Sequence, residues 1–418
     1  MLRARAARPV TAVISTLFAL AISACGGGGG GSTGGDPAPA GAADPTMTGS
    51  PGAAGAGGQS LPAAGGGASL DCGGHGCAVK QIALGTIAAC ALLEDGTVAC
   101  YGGGIVGTLG RDADRPMIDP VPTRVPNLKN VAKVFGGGYT MCALLTDKTV
   151  TCWGPDQSEN PYGARPDGKP FAVEGLSGVV DLSIATSHTC ALVDGGDVYC
   201  FGSNYFGELG DGTTNNAKVA VKARGVSGVK AIATGEEMTC AVLADGSAAC
   251  WGMNDMGQLG RGTSDKLVNS DPMPVLGLDG PVASIDASSE AGVACALLES
   301  GTTKCWGEKL GDSTGADTPG AKALSVGWKH ACVMDAAGTV SCFGSNTKGQ
   351  LGNASTAPVT TAVAASGISG AIGLAVGGNT SCAVFADGSF SCWGDDTRGQ
   401  LGGGQIGPDR ATPEKQHF

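Results

Sequence analysis

Residues 240–252 read CAVLADGSAACWG. Two cysteines stand ten residues apart around an Asp-Gly, and Trp-Gly follows the second. As a β-hairpin centred on this stretch, Leu243 faces Ser247 and Ala244-Asp245-Gly246 forms the loop. Three-residue hairpin loops end in a left-handed residue, and Gly occupies that position at least steric cost. The same register sets Cys240 opposite Cys250. Opposed strand residues lie about 4.5–5.5 Å apart at Cα, within the reach of a disulfide. The stretch therefore reads as a hairpin stapled at its open end.

The arrangement occurs seven times. Cys90 is matched with Cys100, Cys142 with Cys152, Cys190 with Cys200, Cys240 with Cys250, Cys295 with Cys305, Cys332 with Cys342, and Cys382 with Cys392. Each pair is expected to form a disulfide. The loop-ending residue is Gly96, Gly196, Gly246, Gly301, Gly338 and Gly388 in six copies; Lys148 in the other must tolerate positive φ. Steps between first cysteines run from 37 to 55 residues, mostly near 50, a period typical of propellers and arrays. In the fourth copy, Val229 and Ile232 suggest a strand before the hairpin. The glycine-rich turn GMNDMGQLGRGT follows it, and Pro274-Val275-Leu276 suggests a short last strand. Glycine every few residues breaks helical periodicity. The expected fold is all-β: a seven-bladed β-propeller with four short antiparallel strands and one intra-hairpin disulfide per blade.

These residues resemble the regulator-of-chromosome-condensation repeat family. The resemblance is carried by the core DG-x-V/A-x-C-W/F/Y-G and by the turn GQLG. That turn occurs at Gly257–Gly260, Gly349–Gly352 and Gly399–Gly402, with variants at Gly207–Gly210 and Gly107–Gly110. It runs from about Val79 to the C-terminus and implies a seven-bladed propeller. The aromatic after each second cysteine (Tyr101, Trp153, Phe201, Trp251, Trp306, Phe343, Trp393) is expected to pack blade on blade. Two copies depart: the second replaces the turn with GPDQSENPYGARPDG, and the fifth contracts it to GEKLGDST. Altered loops are expected there. The nucleotide-exchange role of chromatin-associated members does not carry over, because fold does not imply function. The ending ATPEKQHF falls where other copies place a last strand and is expected to pair beside Val79–Leu84, closing the ring.

The N-terminus bears on compartment. Arg3, Arg5 and Arg8 precede an apolar run ending Ile22-Ser23-Ala24-Cys25, which reads as a signal peptide over 1–24. That ending resembles a bacterial lipobox, so Cys25 is the expected lipid attachment. The chain is then expected to be exported to a bacterial outer membrane or cell surface, where disulfides persist. Residues 25–70 are Gly, Ala, Pro and Ser with little apolar bulk, the composition of a disordered tether spanning roughly 35–40 Å. The propeller occupies 71–418. Seventeen cysteines less Cys25 leave an even number. Cys72 and Cys77, in CGGHGC, are expected to close a small disulfide loop, although with His75 they would supply three of four metal ligands.

Net charge is −11; without the three signal arginines 23 basic residues face 37 acidic ones. That balance argues against nucleic acid and against a polybasic grip on lipid. Paired cysteines leave no thiol nucleophile, and no cofactor, metal or catalytic motif emerges. The ADGS hairpin has a counterpart in the Asp-box of sialidase propellers, but the cysteine pairs and GQLG do not belong to that pattern. The reading is a non-catalytic monomer whose loops bind a protein or glycan, with an exported hydrolase and a structural envelope component as alternatives. Segments before each first cysteine vary in composition and suit recognition. Tyr139, His188, Glu237, Trp328 and His330 are the expected contacts there. Tyr205 and Phe206, in SNYFGELG, are expected to serve the other loop set.

Overall fold

The computed structural model describes residues 70, 77–111, 117–155, 157, 168–308, 310 and 314–418. The signal segment, Cys25, the tether up to residue 69, Cys72 and His75 lie outside the described residues. The described chain forms seven four-stranded antiparallel sheets, each built from four consecutive strands. This is the seven-bladed propeller expected from the repeat. The inner strands, blades 1 to 7, are Val79–Leu84, Val131–Gly137, Val179–Ile184, Ala231–Gly235, Val282–Ala287, Ala321–Val326 and Ala371–Gly377.

Blade 4 shows how sequence becomes blade. Its second strand (Met238–Val242) and third strand (Ala248–Gly252) are buried at every position. Both faces of these strands meet a neighbouring blade, so they read as continuous apolar runs rather than alternating ones. The outer strand, Asn269–Pro274, is mostly polar and partly exposed. Leu243 N–H donates to Ser247 O (2.8 Å) and Gly246 N–H to Leu243 O (3.0 Å), with Gly246 at φ +84°. Asp245 Oδ1 accepts from the backbone N–H (2.9 Å) and hydroxyl (2.7 Å) of Ser247, completing the turn. Lys148, at φ +64°, takes the left-handed position that glycine fills elsewhere.

The seven repeat pairs are in register and disulfide-bonded, each within its own hairpin. Cys90 is bonded to Cys100, Cys142 to Cys152 and Cys190 to Cys200. Cys240 is bonded to Cys250 and Cys295 to Cys305. Cys332 is bonded to Cys342 and Cys382 to Cys392. Their Cα atoms lie 4.0–4.1 Å apart, closer than the spacing expected of opposed strand residues. Pairing supplies the reason. Counting from the hydrogen-bonded pair of Leu243 and Ser247, Cys240 and Cys250 fall at a non-hydrogen-bonded position, where strands approach most closely. Each disulfide closes a loop of about eleven residues, worth roughly 2–3 kcal/mol by restricting the unfolded chain.

Blades are joined by two recurrent devices. The first uses the hairpin end: its left-handed residue offers a carbonyl to an N–H at or just before the start of the next inner strand. Val131 bonds to Gly96, Val179 to Lys148, Val229 to Gly196, Val282 to Gly246 and Ala371 to Gly338. The same bond from Val79 N–H to Gly388 O (2.9 Å) joins blade 7 to blade 1. The second device uses the aromatic after the second cysteine. Trp153, Trp251, Trp306 and Trp393 donate Nε1–H to Thr108 O, Glu208 O, Gln258 O and Gln350 O, each in the turn of the preceding blade (2.9–3.1 Å). Phe201 and Phe343 follow blades 2 and 5, whose turn sequences depart from the repeat.

The C-terminal strand, Arg410–Gln416, pairs with Phe390–Gly394 as the outer strand of its own blade, not beside Val79–Leu84 as expected. The reason is connectivity: every blade closes on four consecutive strands, so no strand is borrowed across the seam. The tip still crosses it. Cys77 N–H donates to Phe418 O (3.1 Å), and the Phe418 ring lies 5.5 Å from Tyr101 and 4.7 Å from Phe390. The departures in blades 2 and 5 are real: their outer strands are only Phe171–Ala172 and Gly315–Asp317.

Candidate functional site

In each blade the loop between the first two strands and the turn after the third emerge on one face. As the chain leaves the third strand, its N–H bonds to that loop: Ser203 to Ser187 O (2.9 Å), Met253 to Glu237 O (2.9 Å), Glu308 to Gly292 O (2.7 Å) and Ser345 to Lys329 O (2.8 Å). The loops therefore ring the central channel, and the glycine-rich turns form a concentric outer ring on the same face. Tyr205 and Phe206 lie on that outer ring, a loop set separate from the inner one.

One loop is longer than the rest. The first cysteine pairs with an inner-strand residue seven positions earlier in blade 4 (Cys240 with Ala233) but nine earlier in blade 5 (Cys295 with Asp286). The two extra residues give Ser288–Gly292, which lies across the channel mouth. Thr186 N–H and hydroxyl donate to Ser289 O, and Gly138 N–H donates to Ser289 Oγ (3.1 Å). Glu236 N–H donates to Ser288 O (3.1 Å), and the Thr86 hydroxyl donates to Glu290 Oε1 (2.6 Å). Ser288 Oγ donates to Trp328 O (3.4 Å). A single loop thus ties down loops of five other blades. Beneath it the inner strands enclose a cavity of about 180 Å³, with Asp286, Ser183, Thr234 and Ser325 on part of its wall. Asp286 accepts from Val326 N–H (2.8 Å), and enclosure by the ring lifts its pKa to about 6.

The expected contacts divide. Trp328 is 43% exposed beside the plug, with Lys329 Nζ over its ring at 6.0 Å and bonded to Glu308 (2.8 Å). Tyr139 and Glu237 are half-buried on the inner ring, and Tyr205 is 66% exposed on the outer one, with Phe206 half-buried next to it. His188 and His330 are not on this surface: both are fully buried. His188 Nε2 meets Thr239 Oγ1 at 2.8 Å, and that hydroxyl donates to Glu208 O. The single hydroxyl proton is committed, so the imidazole donates from Nε2. His330, Ser381 and Gln350 O repeat the arrangement. Each turn carbonyl thus receives a Trp indole and a hydroxyl backed by the preceding blade's histidine, a structural relay between blades.

The reading by motif missed the carboxylates around Glu237. Partial burial first, then Glu208, Glu236 and Asp255, raise Glu237 to about 7. Glu236 is also raised, by burial and then by Glu308 and Asp255. Glu237 holds φ +54° in a two-residue turn where glycine is usual. Nothing in a repeat consensus marks such a cluster, because it is assembled from three blades. The plug had a signal: the 55-residue step from Cys240 to Cys295, longer than any other. Among the described residues no His, Cys, Asp or Glu group could hold a metal, and no helix is long and apolar enough to cross a membrane.

This geometry defines a class: a plugged propeller with all seven blade tops turned to one face. The family described as Regulator of chromosome condensation (RCC1) repeat matches residues 179–208, 229–258 and 321–350, and a second form of it matches 195–242. Three of these matches run from an inner strand to the glycine-rich turn and fall on blades 3, 4 and 6. The chain is 33% identical over 142 residues to E3 ubiquitin-protein ligase HERC2 of Homo sapiens, covering 32% of this chain and 3% of that protein. It is 28% identical over 137 residues to Regulator of chromosome condensation of Mus musculus, covering 32% of each. The matched stretch is thus a small part of these relatives' length. The structure of human WBSCR16 shares the fold, with a TM-score of 0.62 at 19% identity over 72% of this chain and 84% of that one.

Proposed function

We propose that this is a non-catalytic, protein-binding propeller, held at a bacterial surface by a lipid on Cys25 and presenting one face to its partner. The observation that carries the reading is the plugged face. The loops that vary most from copy to copy surround a mouth closed by Ser288–Gly292, so a partner meets a rim of side chains rather than a pore. Rigid scaffolds that display variable loops suit recognition, and Trp and Tyr are favoured at the centre of interfaces. Trp328 and Tyr139 stand on the inner rim and Tyr205 on the outer one. The fourteen repeat cysteines are committed to disulfides and the two interior histidines to structural bonds, which supports a non-catalytic role. Export is supported by the Arg3–Cys25 pattern together with these disulfides.

The test is affinity capture from a bacterial envelope extract with the full chain, beside Trp328→Ala and Tyr205→Ala. A specific protein depleted at least about tenfold by one substitution, a loss of about 1.4 kcal/mol, is the expected result. Equal recovery by all three chains would overturn the rim as the binding surface. Turnover of a glycoside by the wild type would overturn the non-catalytic reading.

A further inference from the structure

The outer ring carries an apolar patch that the fold does not require. Leu267 (69% exposed), Val268 (51%), Tyr205 (66%) and Met256 (54%) all belong to the outer tops of blades 3 and 4. Leu267 and Val268 immediately precede the outer strand of blade 4, whose Asn269 pairs with Gly252. The equivalent pairs before the outer strands of blades 3, 6 and 7 are Asn215-Asn216, Ala357-Pro358 and Pro408-Asp409. Blade 1 has Met117-Ile118 there, but the turn beside it carries Thr397 and Arg398. In blade 4 the adjoining turn instead carries Tyr205-Phe206. That turn sits directly on the strand: a Cβ on Gly207 would lie 2.6 Å from Ser270 Cα. Met256 belongs to the neighbouring turn of blade 4, which Asp265 N–H closes onto Asn254 O (2.9 Å). Apolar side chains are thus gathered where blades 3, 6 and 7 place polar or small ones.

The surroundings are anionic. Asp255 adjoins Met256, Glu236 and Glu237 interact with it from the inner ring, and Asp265 supports the Leu267 backbone by accepting from its N–H (3.0 Å). Against these carboxylates stand exposed Lys266 and half-buried Arg261, whose Nη1 is occupied by Asn269 Oδ1 (2.6 Å). A second copy of this chain, itself at −11, would bring like charge to the patch. An anionic lipid surface would meet the same repulsion.

We propose that the outer rim of blades 3 and 4 docks a basic amphipathic segment of another protein. Its apolar side chains cover Tyr205, Met256, Leu267 and Val268, and its Lys or Arg side chains face Asp255, Glu236 and Glu237. This rests on the protein-binding reading and names the chemistry of the partner.

The test titrates the full chain into a labelled amphipathic peptide of leucine and lysine, and into its leucine–glutamate counterpart, followed by fluorescence anisotropy. The lysine peptide binds and the glutamate peptide does not. Leu267→Ser with Val268→Ser weakens binding at least about tenfold, and Glu236→Gln with Glu237→Gln weakens it severalfold. About 1 M salt, where the screening length falls to about 3 Å, weakens it likewise. Both apolar positions are exposed, so an unchanged melting curve is the control for folding. Equal binding of the two peptides, indifference to the serine substitutions, or no binding overturns the proposal. So does preferential binding to phosphatidylcholine vesicles, or a dimer abolished by the serine substitutions. If Trp328→Ala loses a captured partner while the lysine peptide fails to bind, only this proposal falls. If the peptide binds and no partner is captured at the rim, the broader reading falls instead.

Discussion

His188 and His330 are each held by one nitrogen in a blade-to-blade relay, while Nδ1 is buried without a partner among the described residues. Protonation would place a hydrogen on that nitrogen, so burial depresses both groups from 6.5 to about 3. Between these values the unfolded chain binds protons that the folded chain refuses. Stability contributed by the neutral rings is therefore lost as pH falls from about 6.5 toward 3, by about 2–3 kcal/mol per ring at about pH 4.5. Glu237 and Asp286 work in the opposite sense. Raised to about 7 and about 6, they cost stability at neutral pH and cease to do so as pH falls. Urea titrations of the wild type and of a double variant, His188→Gln with His330→Gln, separate the two. The double variant is expected to be less stable at pH 7 but to lose several kcal/mol less on going to about pH 4.5. Parallel pH profiles would show that the imidazoles are not the source. Sequence alone assigned these histidines to a rim, because spacing along the chain does not reveal which blade lies behind a residue.

At the scale of the element, the glycine at the fourth position of the turn and the tryptophan of the next blade act as one unit. A Cβ at Gly210 would lie 2.6 Å from Trp251 Nε1, and at Gly352 2.7 Å from Trp393 Nε1. The glycine is needed both for its positive φ of +69° in each case and to admit the indole to the turn carbonyl. Gly210→Ala is expected to cost about 2–4 kcal/mol, from overpacking and left-handed strain together. Trp251→Phe removes one buried hydrogen bond and costs about 1–2 kcal/mol. The double variant should cost clearly less than the sum, because the smaller ring relieves the clash. Additive costs in equilibrium denaturation would show that the two act independently. Phe201 and Phe343, which have no indole donor, each follow a blade whose turn sequence departs from GQLG. The turn motif and the aromatic were both legible in the sequence; that one serves the other across a blade boundary was not.

At the scale of the molecule, the ring closes without sharing a strand. The seam is held by the Val79–Gly388 bond, by contacts between the first and last inner strands, and by Phe418 between Tyr101 and Phe390. Phe418→Ala keeps the backbone bond but removes the ring, a half-buried aromatic worth about 1–2 kcal/mol. Hydrogen exchange should then quicken first in Val79–Leu84 and Phe390–Gly394, ahead of blades 3 to 5. Uniform acceleration around the ring would mean that the seam is no weaker than any other boundary. The plug adds the opposite effect on the top face, where one loop cross-links five others and holds the channel mouth shut. Open clefts of about 560 and 530 Å³ flank blade 2, the blade whose turn is replaced and whose outer strand is shortest.

The sequence by itself determined the number of blades, the hairpin register and the cysteine pairing. These rest on contacts ten residues apart or fewer, where a turn residue and a two-residue strand period leave one arrangement. Only the tertiary structure decided that the histidines are interior, that the C-terminal strand stays in its own blade, and that carboxylates of three blades converge around Glu237. Those outcomes depend on which surfaces meet across about fifty residues of chain, and side-chain burial at such a meeting is set by both partners together.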